Sequence, residues 1–86
     1  MNNNEVLDLS SMGLKELLIP YEDLSNIRIL ILSHNHLTSF PKVILTLKKI
    51  ERVDLSWNHI LEFPQNLPRH IVINKAWNRA KSSSDV

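Results

Sequence analysis

The chain has 86 residues, 43% of them hydrophobic, so it can form one domain at most and does not have the composition of a disordered protein. Its net charge of +1 does not favour nucleic acid or an anionic membrane as a partner, and the absence of cysteine excludes disulfides, thiolate metal sites and a cysteine nucleophile. No secretory signal and no membrane-length apolar stretch is visible. Because small extracellular domains usually need disulfides, we expect a cytoplasmic location, with the nucleus as the alternative.

The first predicted element is a short strand at residues 5–9, EVLDL. Apolar and other residues alternate there, which is typical of a strand with one buried face. The pattern returns 23 residues later, so that Leu7 matches Leu30 and Leu9 matches Leu32. This first copy, residues 4–26, has Met12 where the later copies have asparagine.

The second copy, residues 27–49, begins with the strand IRILILS. Beyond Asn35 the apolar residues are spaced by three or four, which predicts a helical or 3₁₀ return segment. Pro41 lies near the start of this segment, where proline is tolerated.

The third copy, residues 50–67, begins with the strand ERVDLS, and a partial fourth copy follows at residues 68–76. A step of about 18 residues aligns Val53 with Ile71, and it puts Ala76 where the earlier copies have asparagine. Two prolines in the segment FPQNLPRHI predict an extended return path. Residues 77–86 are polar and are predicted to form a flexible tail.

The repeated residues fill the template L-x-x-L-x-L-x-x-N-x-L twice. The first set is Ile27, Leu30, Leu32, Asn35 and Leu37, and the second is Ile50, Val53, Leu55, Asn58 and Ile60. Phe-Pro follows each set, at residues 40–41 and 63–64. The chain therefore resembles the leucine-rich repeat family in its 23-residue form, with a short last unit.

This resemblance implies an α/β solenoid of about three to four repeats in a single domain, residues 1–76. A short parallel sheet would line its concave face, with helical, 3₁₀ or extended segments on the convex side. The predicted interior columns are Leu7, Leu30, Val53 and Ile71; Leu9, Leu32, Leu55 and Ile73; and, on the far side, Leu17, Phe40 and Phe63. In the family, the repeated asparagine bonds neighbouring backbone, a role that falls here on Asn35 and Asn58.

Alternation along the strands also predicts the outward side chains. Their columns are Val6, Ile29, Arg52 and His70; Asp8, Ile31, Asp54 and Val72; Ser10, Ser33, Ser56 and Asn74; and, just beyond, Ser11, His34, Trp57 and Lys75. The concave face usually carries the binding site in this family.

An apolar centre with a charged edge is typical of a protein interface. The predicted partner-binding residues are Val6, Asp8, Ile29, Ile31, His34, Arg52, Asp54, Trp57, Val72 and Lys75. The alternative is that the isoleucines are ordinary exposed surface.

Other kinds of site find little support in the sequence. The four histidines lack a cysteine or carboxylate cluster, so we predict no metal, and no cofactor is expected. Asp8 and Asp54 would be separated by Ile31 on an open surface, which does not favour catalysis. Scattered lysines without an aromatic platform do not indicate nucleic acid. The end of the chain, Ser84-Asp85-Val86, resembles a PDZ-domain ligand.

The sequence thus predicts a non-enzymatic module for protein–protein interaction, of the scaffold, signalling or regulatory-subunit type. The family resemblance implies a phosphatase or a small GTPase as possible partner classes. The alternative is a structural end piece of a larger repeat array, without a ligand of its own.

Overall fold

A computed structural model describes residues 5–79 and contains one parallel sheet of four strands. The strands are β1 (Val6–Asp8), β2 (Ile29–Ile31), β3 (Arg52–Asp54) and β4 (Val72–Asn74), and they are neighbours in chain order. The return segments contain a short helix α1 (Tyr21–Leu24) and a 3₁₀ helix (Lys42–Thr46). The predicted α/β class with a parallel sheet is confirmed.

The strand register gives the length of each step along the chain. Val6 pairs with Ile29 and Ile29 with Arg52, each 23 residues on, as the sequence predicted. Arg52 pairs with Val72, 20 residues on. The predicted step of 18 is therefore wrong, and every residue assigned to the last strand shifts by two positions.

The return segments follow the proline positions. Pro20 directly precedes α1, and Pro41 directly precedes the 3₁₀ helix, where the missing proline N–H leaves no gap in the helical hydrogen bonding. Between β3 and β4 the chain contains no helix, which confirms the extended path predicted from Pro64 and Pro68.

The core lies between the sheet and the return segments. Leu30, Leu32, Val53 and Leu55 are fully buried, as the alternation predicted. The register places Ile73, rather than Ile71, in the column of Leu30 and Val53, because Val53 pairs with Ile73. Ile71 is also buried, but it precedes the strand.

Lys75 lies 20 residues after Leu55, and the N–H of Leu55 bonds the carbonyl of the residue before Lys75, 2.9 Å away. Lys75 therefore ends the inward column that was assigned to Ile73. On the far side of the core, the ring centroids of Phe40 and Phe63 are 6.0 Å apart in an edge-to-face arrangement.

Buried asparagine side chains join neighbouring units. Asn35 Nδ2 donates to the carbonyls of Leu9 and Leu32, and Asn58 Nδ2 donates to those of Leu32 and Leu55, at 2.9–3.1 Å. The backbone bonding predicted for Asn35 and Asn58 is confirmed. Among residues 5–79, no buried side-chain nitrogen or oxygen lacks a hydrogen-bond partner.

The series of asparagines continues at Asn78, not at Ala76. Asn78 Nδ2 donates to the carbonyls of Leu55, Lys75 and Ala76, and its Oδ1 accepts from the N–H of Ile60. The predicted interruption at Ala76 is wrong, and the boundary before residue 77 is too early. The rest of the predicted tail, including the PDZ-like Ser84-Asp85-Val86, lies outside the described residues.

The two ends of the stack are less well buried than its middle. Nine hydrophobic side chains pack against the core while only partly buried: Leu7, Leu9, Leu14, Leu17, Ile19, Val43, Phe63, Leu67 and Ile73. All except Val43 lie before residue 20 or after residue 62. Within the described part of the chain, no helix has the length and apolar character needed to cross a membrane.

Candidate functional site

The outward side of the sheet carries two regular columns of side chains. The first contains Val6, Ile29, Arg52 and Val72, and the second contains Asp8, Ile31, Asp54 and Asn74. The sequence placed His70 and Val72 at the ends of these columns, and both assignments are wrong because of the 20-residue step. Val72 nevertheless remains on the outward side, one column away from its predicted place.

The centre of this surface is apolar. Ile29 and Ile31 are half-buried on β2, although their side chains point away from the core. Val6 and Val72 are exposed at the two edges of the sheet, and Arg52 lies between Ile29 and Val72. The outward surface therefore offers hydrophobic contacts next to charged groups.

A row of stacked rings follows the carboxyl ends of the strands. The ring centroids of His34 and Trp57 are 5.4 Å apart, and those of Trp57 and Trp77 are 4.8 Å apart, with nearly parallel planes. We call His34, Trp57 and Trp77 the aromatic row. Trp57 is 48% exposed and Trp77 is 67% exposed, so two indoles present large areas to solvent.

Trp77 is the site residue that the sequence interpretation missed, because Lys75 was assigned to its column. The dipeptide Trp-Asn at residues 57–58 recurs at residues 77–78. That recurrence carries the 20-residue step and could have identified both Trp77 and Asn78.

The aromatic row has an unusual backbone. Ser11, His34, Trp57 and Trp77 have φ between 56° and 59°, in the left-handed region. Side chains other than glycine strain this conformation, by about 1–2 kcal/mol per residue. The position turns the chain out of each strand, one residue before the asparagine position, and it directs the ring to the outward side.

Lys75 does not belong to the outward surface. Its Nζ lies 5.7 Å from the ring centroid of Phe63, on the return side of the core. This contact is a cation–π interaction at the exposed end of the inward column. The prediction that Lys75 lies beside Trp57 in the partner-binding surface is wrong.

Two outward aspartates hold their own turns. Asp8 Oδ1 accepts from the N–H and the hydroxyl of Ser10, at 3.0 and 2.7 Å. Asp54 accepts in the same way from Ser56, at 2.9 and 2.6 Å. Ile31 separates the two carboxylates in the register, so they do not form an acid–base pair.

The pKa of Asp8 is lowered from its usual value, first by the backbone N–H of Ser10 and then by the Ser10 hydroxyl. The lowered pKa means that Asp8 contributes stability above its unfolded-state pKa and loses it as the pH falls through the folded value. Replacing Ser10 with alanine is expected to raise the pKa of Asp8 part of the way back, because the backbone donor remains. Carboxyl NMR titration measures this shift. Ser33→Ala is the control, since Ile31 stands where a carboxylate would accept; an unchanged Asp8 pKa in Ser10→Ala would contradict the assignment.

Arg28 links the amino ends of three neighbouring strands. Its guanidinium bonds Glu51 at 2.8 Å and Glu5 at 3.1 Å. The hydrogen bond and charge of Arg28 lower the pKa of Glu51, and Glu51 with Glu5 raises the pKa of Arg28. All three side chains are about half exposed, so we regard this group as a minor contribution to stability.

The histidines do not assemble a metal site. The rings of His36 and His59 are stacked with centroids 5.8 Å apart, while His34 lies in the aromatic row. Across residues 5–79, no group of three or more histidine, cysteine, aspartate or glutamate side chains could hold a metal ion.

The repeated pattern matches a known family model. Residues 26–47 match the model described as Leucine Rich Repeat. The matched segment contains β2, Asn35 and the 3₁₀ helix. No solved structure matches the chain.

Proposed function

The chain belongs to the leucine-rich repeat family, and from this premise we propose that it is a non-enzymatic module that binds a protein through the outward face of its sheet. Leucine-rich repeat domains generally mediate protein–protein interaction, and the family is typically non-enzymatic. In this proposal the stacked units form a short solenoid, its outward sheet face is the concave binding face, and the protein acts in the cytoplasm as a scaffold or regulatory subunit in signalling.

The aromatic row is the observation that carries the proposal. Two exposed indoles lie next to the half-buried Ile29 and Ile31, with Arg52 and Asp54 alongside. Tryptophan and arginine are over-represented among the residues that dominate binding energies at protein interfaces. The complementary partner surface would carry apolar side chains at its centre and both signs of charge at its edge. Phosphatases and small GTPases are the partner classes that the family suggests.

Replacing Trp57 with alanine is expected to weaken partner binding by about 2 kcal/mol or more, roughly 30-fold, while the chain remains folded. The reason is that Trp57 lies in the middle of the aromatic row and is half exposed. Partners captured by the wild-type chain would be compared with those captured by Trp57→Ala and by Ile31→Asp, and the dissociation constant of each differential partner would be measured. Circular dichroism verifies that both variants are folded.

The control is Leu18→Asp, which changes a side chain that is 80% exposed on the first return segment, away from the sheet. A partner that binds through the outward face keeps its affinity for this control. Equal loss in all three variants, or no loss in any, would contradict the proposed face. Loss of the folded state in Trp57→Ala would assign Trp57 to the fold and favour a structural end piece instead.

A further inference from the structure

We infer that copies of this chain associate head to tail, with β4 of one copy pairing with β1 of the next as a parallel strand. This association uses the two ends of the stack, so it is separate from partner binding on the outward face. Four properties of the ends support it: the exposed core, the free strand edges, the free ring face of Trp77 and the distribution of charge.

Both ends expose the cross-section of the hydrophobic core. Leu7 and Leu9 are only partly buried, although the equivalent Leu30 and Leu32 are fully buried. At the other end, Ile73 is partly buried while its neighbour Val53 is fully buried. The same positions are therefore incompletely covered wherever a neighbouring unit is missing. Stacking a second copy would cover both surfaces at once.

The strand edges have complementary backbone groups. Leu55 N–H donates to the carbonyl of Asn74 at 2.9 Å, and Trp57 N–H donates to that of Ala76 at 3.1 Å. The equivalent N–H groups of Lys75 and Trp77 have no hydrogen-bond partner among residues 5–79.

The matching acceptors lie at the opposite end of the molecule. Leu9 N–H donates to the Ile31 carbonyl and Ser11 N–H donates to the Ser33 carbonyl, at 2.8 and 3.0 Å. The equivalent carbonyls one unit earlier belong to Asp8 and Ser10, and no donor in the described residues bonds them. Continuing the register across two copies pairs Lys75 N–H with Asp8 O, and Trp77 N–H with Ser10 O.

The aromatic row also ends in a way that suits a second copy. One face of the Trp77 ring stacks on Trp57, and Trp77 is 67% exposed. In the continued register, Ser11 of the next copy would lie against the other face. Ser11 is small and has the same left-handed backbone, so the indole can remain in place.

The charge of the two ends is opposite. The first unit, residues 5–26, contains one basic residue, Lys15, and five acidic residues: Glu5, Asp8, Glu16, Glu22 and Asp23. Residues 63–79 contain Arg69, Lys75 and Arg79 and no acidic residue. Opposite charges favour contact between unlike ends, and they disfavour a symmetric dimer through two like ends. The contact is therefore heterologous and can add further copies.

Sedimentation velocity of the full chain tests this inference. From about 1 to about 200 µM, the weight-average sedimentation coefficient is expected to rise with concentration. The rise should be smaller in about 500 mM salt than in about 50 mM salt, because salt screens the opposite charges of the ends. A wild-type chain that stays monomeric over this range at low salt would overturn the inference.

Two charge-reversed variants identify the surfaces. The tail variant combines Arg69→Glu with Arg79→Glu, and the head variant combines Glu16→Lys with Glu22→Lys. All four side chains are exposed. Each variant alone would bring like charges together and is expected to weaken association about tenfold or more. An equimolar mixture is expected to associate again, because each junction then joins unlike ends.

The control variant combines Lys42→Glu with Lys48→Glu, which makes the same change in net charge on exposed residues of a middle unit. It should associate like the wild type. Association that survives in both reversed variants, or a mixture that remains monomeric, would contradict the head-to-tail contact. Circular dichroism of each variant shows that the monomer is folded, so that loss of folding is not read as loss of association.

Discussion

Replacing Asn58 with alanine is expected to lower the free energy of unfolding by about 3–5 kcal/mol, enough to unfold much of the protein. Asn58 is 4% exposed, and its side chain serves two units at once. Nδ2 donates to the carbonyls of Leu32 and Leu55, and Oδ1 accepts from the N–H of Leu37. Alanine leaves these buried backbone groups without partners, and each such group costs about 1–3 kcal/mol.

Urea denaturation followed by circular dichroism measures this effect, and two other asparagines provide the comparison. Asn66 is exposed, so Asn66→Ala should change stability by less than about 0.5 kcal/mol. Asn78 makes similar bonds at the partly exposed end, so Asn78→Ala should be intermediate. A similar loss in all three variants would show that the bonds of Asn58 do not determine the stability.

Replacing Leu32 with alanine is expected to lower the free energy of unfolding by about 3–5 kcal/mol, whereas Leu9→Ala should lower it by about 1–2 kcal/mol. The two residues hold the same position in neighbouring units. Leu32 is fully buried between two strands, and Leu9 is partly buried at the end of the stack. The difference arises because a cavity forms only where atoms surround the deleted methyl groups on all sides.

Denaturant midpoints of the two variants give the comparison, and Leu61→Ala is the control for the loss of a leucine as such. Leu61 is 60% exposed, so this change should have little effect. These measurements belong at a concentration where the chain is monomeric. Equal losses for Leu9→Ala and Leu32→Ala would mean that the end of the stack is as well covered as its middle.

The regular part of the fold could be predicted from the sequence because one step governs it. Leu7, Leu30 and Val53 are each separated by 23 residues, and the alternation around them distinguishes inward from outward positions. The predicted placement of Ile29 and Ile31 on the outward side followed directly. The 3₁₀ return after Pro41 followed from the change in apolar spacing.

The last strand could not be placed by apolar residues alone. Ile71 and Ile73 have the same alternation as any strand, so they fit two alternative registers that differ by two residues. A shift of two leaves the inward and outward faces unchanged and therefore gives no hydrophobic penalty to detect it. The hydrogen-bonding requirement of the core settles the register, because Asn78 has the side chain that Ala76 lacks.

The error in the register also displaced part of the candidate site. With Lys75 in place of Trp77, the outward face had a charge where the structure has an indole stacked on Trp57. The stacking itself depends on ring orientation in three dimensions, which no spacing in the sequence records. Four residues with φ near 58° were equally invisible, since three of them have side chains that rarely adopt this conformation.

Serine, histidine and tryptophan occupy the left-handed position with φ values only 3° apart. Their side chains have almost nothing in common, so the conformation is imposed by the surroundings, in which a buried asparagine follows at three of the four positions. A substitution there changes what the protein displays while the backbone that displays it stays the same. Recognition can therefore diverge at these positions during evolution without a matching change in the hydrophobic core.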